Sequence, residues 1–461
     1  MADLAVDPTP IPGLLQLRLD VRTDERGWFE EAWQRAKMTA LGLPDFGPVQ
    51  ANVAWNDQRG TTRGLHAEPW DKLVTVVSGR AYGAWVDLRA GETFGATHTV
   101  VLEPGVAVFV PRGVGNGYQT LTDATTYTYL VNDHWRPDAE YVAVDHTDPA
   151  LAIDWPVPPD ERSLSEKDRT APSLSEVSPV APRSALVLGA GGQLGGALLE
   201  AFPGARGTTR AELDLTDPEQ LEGWSWSEHD VVLNAAAYTA VDAAETTEGR
   251  RAAWALNAIL PASLARLAVS HGLTIVHYST DYVFDGTRAE HDEDEPLTPL
   301  GVYGQAKAAG ELALEAVPRH YLLRTSWVVG NGPNFVRTMA RLADDGVSPS
   351  VVSDQVGRLT FTDELARATR HLLDHGAPYG TYNVTNGGPA MSWLEVAREV
   401  FEVRGRDPLN VSPTTTEQYA AGRAVAPRPR SSVLSTRRIE ATGFAPTDAR
   451  EALRAYASSL P

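Results

Sequence analysis

The chain has 461 residues, 43% of them hydrophobic and 12 of them Trp, with a formal net charge of -20. It is too long for one core and implies two or three domains, and its charge excludes nucleic acid and anionic membrane as partners while leaving room for a nucleotide in a local basic pocket. Cysteine is absent, which removes disulfides, thiolate metal sites and thiol catalysis; the start Met1-Ala2-Asp3-Leu4 lacks a leader pattern and no uncharged apolar run approaches ~20 residues, so a cytoplasmic protein is expected.

Residues up to about Trp155 read as all-β. Short β-rich runs at Leu73–Val77, Ala84–Leu88, Thr99–Leu102 and Val106–Val110 are punctuated by Ser78-Gly79, Ala90-Gly91 and Pro104-Gly105, the spacing of a sandwich or barrel. A Pro- and Ser-rich stretch from Pro156 to Arg183 reads as a linker or as a tail wrapped on the first domain. From Ser184 onward strands and helices alternate. Ala185–Leu188 runs into glycines and then a helix, Val231–Asn234 and Leu273–His277 read as buried strands, and Arg251–Ala268 and Thr362–Asp374 as helices. Alternation of this kind predicts a parallel doubly wound sheet. From about Asn331 a further lobe is expected, to hold a substrate.

Gly189-x-x-Gly192-x-x-Gly195 between a strand and a helix is the pattern of a pyrophosphate cradle. Asp214 is expected at the third strand, near adenine. With Arg206 and Arg210 where an acid would read a ribose 2′-hydroxyl, NADPH is favoured over NADH. Tyr303 and Lys307, four apart, share a helix face. The lysine is expected to lower the phenol's pKa and help it act as general acid to a carbonyl, with Thr280 supplying a further hydroxyl. In the first third, Arg63-Gly64-Leu65-His66 offers a base, Lys72 a cation for an enolate oxygen and Tyr129 an acid, the three groups an epimerisation beside a ketone requires.

The segments 189–195 (Gly-Ala-Gly-Gly-Gln-Leu-Gly), 234–242, 279–286, 303–307, 324–327 and 354–360 resemble dTDP-4-dehydrorhamnose reductases, extended short-chain dehydrogenases with a Rossmann-type α/β fold. The resemblance implies Thr280, Tyr303 and Lys307 as catalytic residues and Trp327 beside the sugar. It places the cofactor on Gly189, Gly191, Gly192, Gln193, Leu194, Gly195, Asp214, Ala235 and Ala236, as well as on Tyr303 and Lys307. Leu359 stands where the family usually has Pro. Ala197 stands where some members carry a metal-binding Glu, so no metal is expected.

Residues 13–174 resemble dTDP-4-dehydrorhamnose 3,5-epimerases, all-β jelly rolls of the cupin class, through Asp24–Glu31, Gln50-Ala51-Asn52, Arg63–His66, Lys72-Leu73-Val74, Val86–Arg89 and Asp148…Trp155-Pro156. This resemblance implies that Asp148 orients His66. It assigns the nucleotide to Arg26, Phe29, Glu31, Gln50, Asn52 and Arg63, and it puts Trp135 near the base. It also implies a homodimer formed through the N-terminal domain. Asn116 replaces a pocket histidine, and the loop from His66 to Lys72 is short and lacks the customary Gln.

The expected organisation is an epimerase-like jelly roll over 1–174, a linker over 175–183 and an NAD(P)H-binding reductase over 184–461. The expected function is bifunctional dTDP-L-rhamnose synthesis: 3,5-epimerisation of a dTDP-4-keto-6-deoxy sugar, then reduction at C4. Three alternatives stay open at this level: a reductase whose β-domain only binds or dimerises, the same chemistry on another deoxyhexose, and a non-catalytic cofactor-binding regulator.

Overall fold

A computed structural model describes residues 4–135, 141–182 and 184–461; Met1-Ala2-Asp3 and Arg183, the last residue of the expected linker, lie outside them. The chain divides into two compact units, Met1–Pro182 and Arg183–Pro461.

The first unit is built from antiparallel strands in two facing sheets. One has the order β1 (Ala5–Pro8), β2 (Leu15–Arg18), β10 (Val106–Val110), β7 (Lys72–Ser78), β12 (Thr125–Val131), β5 (Gln50–Asn56). The other runs β13 (Val142–Ala143), β6 (Thr62–Ala67), β11 (Val114–Thr120), β8 (Ala81–Asp87), β9 (Thr97–Leu102). A separate hairpin, β3 (Val21–Asp24) with β4 (Gly27–Glu30), leaves Phe29 65% exposed. Val74, Val76 and Val108 from one sheet meet Trp85, Val114 and Tyr118 from the other, and this cluster fills the jelly roll. Val177 and Val180 belong to a neighbouring cluster on the same unit. Val180 also bonds as a strand would, its N–H to Leu88 O at 2.7 Å and its carbonyl to Ala90 N at 2.9 Å. The stretch expected as a linker from 175 is therefore packed on the first unit through Pro182. Its Pro content suits an extended edge segment that needs few N–H donors.

The second unit holds a six-stranded parallel sheet. Its order is β15 (Arg206–Thr208), β14 (Ser184–Leu188), β16 (His229–Asn234), β17 (Thr274–Thr280), β18 (His320–Thr325), then the strand Gly380–Asn383. The chain order reverses between β14 and β16, so their carboxyl ends flank the crevice where ligands bind in such sheets. The helix Thr362–Asp374 forms as the sequence predicts. The one expected over 251–268 is instead Thr247–Trp254, a wide turn Ala255–Ile259, and Leu260–His271. Its length would cross a membrane, but it carries Arg250, Arg251 and Arg266 and packs Leu260, Leu264 and Ala268 into the core. Within the wide turn Asn257 points inward and ties the helix to the loop after β16, accepting from Tyr238 N and donating to Tyr238 O, both at 2.9 Å. The lobe after Asn331 has its own core of Val336, Met339, Val396, Phe401 and Leu453, drawn from three helices.

Candidate functional site

Each unit brings part of its sequence-predicted set together. In the first unit a cavity of about 440 Å³ is lined by His66, Lys72, Tyr129, Arg63 and Asn116. His66 lies on β6 directly opposite Asn116 on β11. Their close approach requires Gly64, which has φ +96° and whose absent Cβ would fall 2.5 Å from Asn116 O. The place vacated by a pocket histidine is thus occupied: Asn116 Oδ1 accepts the Tyr127 hydroxyl at 3.1 Å, and Tyr127 stacks on Tyr118 at 4.1 Å.

His66 does not meet Asp148. Its Nε2 lies 2.6 Å from Asp168 Oδ1. Asp168 stands on a short helix, Glu166–Arg169, capped by Ser165, whose hydroxyl bonds Asp168 Oδ2 at 2.8 Å. Burial pushes the Asp168 carboxyl up, but bonds from His66, Ser165 and the Gly64 backbone outweigh it and hold the group below the usual range. Asp148 instead ties down chain, accepting from Ala150 N at 2.8 Å and Leu174 N at 2.6 Å. Asp148 precedes one short helical turn and Asp168 lies within another, and only the tertiary path of the tail decides which reaches β6. The pattern Ser165-x-x-Asp168 was the available sequence cue: it marks a helix start with its acid at the third position.

Lys72 is buried, and its ammonium lies 2.7 Å from Glu68 Oε2 and 5.6 Å from the centre of the Tyr129 ring. Glu68, not singled out from sequence, also accepts Trp70 Nε1 at 2.6 Å. Burial lowers the Lys72 pKa and Glu68 opposes it. Tyr129 is pushed up by burial and then by the Glu68 charge, so it keeps its proton. Arg26, Phe29, Glu31, Gln50, Asn52 and Trp135 are not among the cavity's lining residues. Arg26 pairs with Asp24 and Glu31 with Lys37, Gln50 bonds Asn52 at 2.9 Å, and Trp135 is 61% exposed.

In the second unit a cavity of about 280 Å³ opens where β14 and β16 end, lined by Gly189, Gly192, Arg210, Asp214, Ala235 and Ala236 among others. A Cβ at Gly195 would collide with the Gly189 carbonyl, so the helix Gln193–Ala201 can sit close under the loop only with glycine there. Asp214 lies in a turn rather than a strand; its carboxylate is engaged by the Thr216 hydroxyl at 2.6 Å. Arg210 lines the cavity, whereas Arg206 lies over Trp224 at 4.5 Å and pairs with Glu228 at 3.6 Å. Leu194 packs toward the core, and Gln193 donates to Pro333 O at 3.3 Å. Gly191 is exposed. The glycine loop, the helix start and the adjoining cavity fit a dinucleotide.

Thr280 ends β17, and Tyr303 and Lys307 lie one turn apart on the helix Val302–Leu314. Lys307 Nζ donates to Tyr278 O at 2.7 Å. Burial lowers Lys307 to about 8, against Glu311. The expectation that Lys307 lowers the phenol is not met: burial, then the charge of Asp281, raise Tyr303 to about 12, with Thr280 pulling the other way. Trp327 holds φ +47° and stacks on Trp393 at 3.7 Å. Leu359 is buried in the lobe core, and Ala197 lines a groove beside the helix Ala449–Ser459.

Comparison with known proteins gives two family matches. The RmlD substrate binding domain model covers residues 183–460, and the dTDP-4-dehydrorhamnose 3,5-epimerase model covers 8–176. A Streptococcus pyogenes protein described as an RmlC homolog is 46% identical over 180 residues, 38% of this chain and 90% of that protein. The dTDP-4-dehydrorhamnose reductase of Mycolicibacterium smegmatis is 38% identical over 279 residues, 58% of this chain and 83% of that enzyme. The dTDP-4-dehydrorhamnose reductase of Bacillus anthracis, solved in complex with NADP, superposes with a TM-score of 0.55 at 33% identity, covering 59% of this chain and 98% of that one.

Proposed function

The chain belongs to the RmlD family through its second unit and to the dTDP-4-dehydrorhamnose 3,5-epimerase family through its first, and from that premise we propose that it performs both steps on one dTDP-4-keto-6-deoxy sugar. The first unit epimerises C3 and C5, and the second reduces C4 with NADPH. The observation that carries the reading is the convergence of the His66–Asp168 pair, Lys72 and Tyr129 on one cavity. A binding module needs no buried ammonium facing an oriented base.

In the epimerase unit, His66 removes the proton next to the ketone while Asp168 fixes the ring and stabilises its cationic form. The Lys72 ammonium faces the oxygen where enolate charge develops. Tyr129, kept protonated by burial, returns a proton from the other side. In the reductase unit, bound NADPH supplies hydride. Tyr303 holds the proton for the C4 oxygen, and Thr280 bonds that oxygen beside it. Lys307, fixed by Tyr278 O, keeps a positive charge beneath the pair. Arg210 is the residue we assign to a 2′-phosphate.

A homodimer through the first unit and a cytoplasmic location belong to the same proposal. The dimer is supported by exposed apolar side chains on one edge strand and one hairpin: Val53 (71%) and Trp55 (58%) on β5, and Phe29 on β4. Sedimentation of the fragment ending at Pro182 tests it; a monomeric fragment contradicts it.

The two activities are separable by mutation. His66→Ala should stop deuterium exchange from D₂O into C3 and C5 of the keto-sugar and still reduce a pre-epimerised substrate. Tyr303→Phe should do the reverse. Loss of both activities in either variant, or of neither, contradicts the reading.

A further inference from the structure

One buried acid in the reductase unit has no part in the reduction described above. Asp281 follows Thr280 in the turn Asp281–Val283 and is 3% exposed. Its Oδ1 accepts the Thr280 hydroxyl at 3.0 Å, and its Oδ2 is buried without a hydrogen-bond partner. The groups around it come from two further elements and from its own turn. Tyr303 faces it from the helix Val302–Leu314, the Ser432 hydroxyl from the strand Ser431–Ser432, and Tyr282 from its own turn, with Arg428 behind Tyr282. Neither neighbouring cation is bonded to the carboxyl: Arg428 is held by Asp242 at 2.8 Å and Lys307 by Tyr278 O. Burial therefore dominates and pushes Asp281 up to about 7, against the smaller pull of Ser432 and Thr280.

The consequence lies in the valence of one hydroxyl. Thr280 has one proton and two lone pairs, and Tyr282 N–H already occupies a lone pair at 3.2 Å. When Asp281 is ionised, the Thr280 proton goes to the carboxylate. The remaining lone pair is then open to the neighbouring Tyr303 hydroxyl, and a bond donated to it turns the Tyr303 proton away from a carbonyl. When Asp281 is protonated, its own O–H fills that lone pair. The Thr280 proton is then released toward Tyr303 Oη or the substrate oxygen, and the Tyr303 proton is free to face the ketone.

We infer that Asp281 is a positioning residue that sets the direction of the hydrogen bonds running through Thr280 to Tyr303, and that the reductase is competent in the form whose Asp281 carries a proton. The inference rests on the roles proposed for Thr280 and Tyr303.

The test is the pH dependence of kcat for NADPH oxidation with pre-epimerised keto-sugar, from about pH 5 to 9, in the full chain. Wild-type activity should fall as pH rises through about 7. Asp281→Asn cannot ionise, so that limb should vanish and leave only the later fall as Lys307 loses its proton near 8. Ser432→Ala removes a dipole that favours the carboxylate and should move the wild-type limb to higher pH; it decides the matter if Asp281→Asn does not fold. Infrared titration of the unliganded protein gives a second readout: a carboxylic-acid band lost on passing pH 7 and missing in Asp281→Asn. An Asp281→Asn profile superposed on wild type, or an unmoved limb in Ser432→Ala, overturns the inference. Near-normal turnover by Tyr303→Phe would instead overturn the reading beneath it, and that variant is measured alongside.

Discussion

His66 Nε2 and Asp168 Oδ1 lie 2.6 Å apart across 102 residues of chain. The contact closes the tail of the first unit over its cavity and gives His66, the base we propose, a carboxylate partner. Asp168→Asn should lower C3 and C5 exchange by about 10²- to 10⁴-fold, because an amide neither fixes the ring nor stabilises its charge. Asp148→Asn should leave exchange within about threefold and lower the melting temperature of the first unit, since it loosens a cap. NMR-detected exchange and thermal unfolding check the pair; the opposite ranking would restore Asp148. The sign for pH follows from the depressed Asp168 carboxyl: its contribution to stability is present above the ordinary carboxylate range and is lost as pH falls below it.

Glu68 and Lys72 form the second pair. Burial lowers Lys72 and Glu68 counters it, so Glu68→Gln leaves a buried ammonium without its carboxylate. Lys72 should then lose its proton at lower pH. The alkaline limb of deuterium exchange should move down, and the rate at neutral pH should fall about 10- to 100-fold. An unmoved limb would mean that Glu68 does not support the cation.

The two arginines expected at the cofactor separate by their neighbours. Arg210→Glu should raise the KM for NADPH by about tenfold or more and change that for NADH little. Arg206→Glu should affect neither strongly, because Arg206 is engaged with Trp224 and Glu228. Steady-state kinetics with both cofactors decides; equal effects on NADPH and NADH from Arg210→Glu remove the assignment.

Gly64→Ala should cost about 2–3 kcal/mol in the first unit, from the strained backbone and the clash with Asn116 O. It should depress exchange while leaving the reduction rate of a pre-epimerised substrate unchanged. Separate thermal transitions of the two units, followed by calorimetry, show which unit is affected.

What sequence made legible follows from range. The glycine loop, Tyr303-x-x-x-Lys307 and the helix Thr362–Asp374 depend on residues within a few positions of one another, and each stands where the spacing predicts. Arg63-Gly64-Leu65-His66 and Lys72 likewise reach one cavity from adjoining segments. The pairing of His66 with Asp168 rather than Asp148 depends on how a tail folds back, and no local pattern encodes that path. Asn116 reads as a lost histidine in sequence, yet strand register places it opposite His66 with Tyr127 bonded to it. The orientation of Arg206 is decided by Trp224, 18 positions away in a bend outside that strand, and the raised Tyr303 pKa by burial that spacing does not report.

The central claim is that one chain inverts C3 and C5 and then reduces C4. The most direct measurement is NMR of the product formed in D₂O from dTDP-4-keto-6-deoxyglucose and NADPH by the purified full chain. The account predicts a dTDP-6-deoxy-L-hexose carrying deuterium at both C3 and C5, with stoichiometric NADPH consumption. A 4-reduced D-sugar with protium retained at C3 and C5 would contradict it.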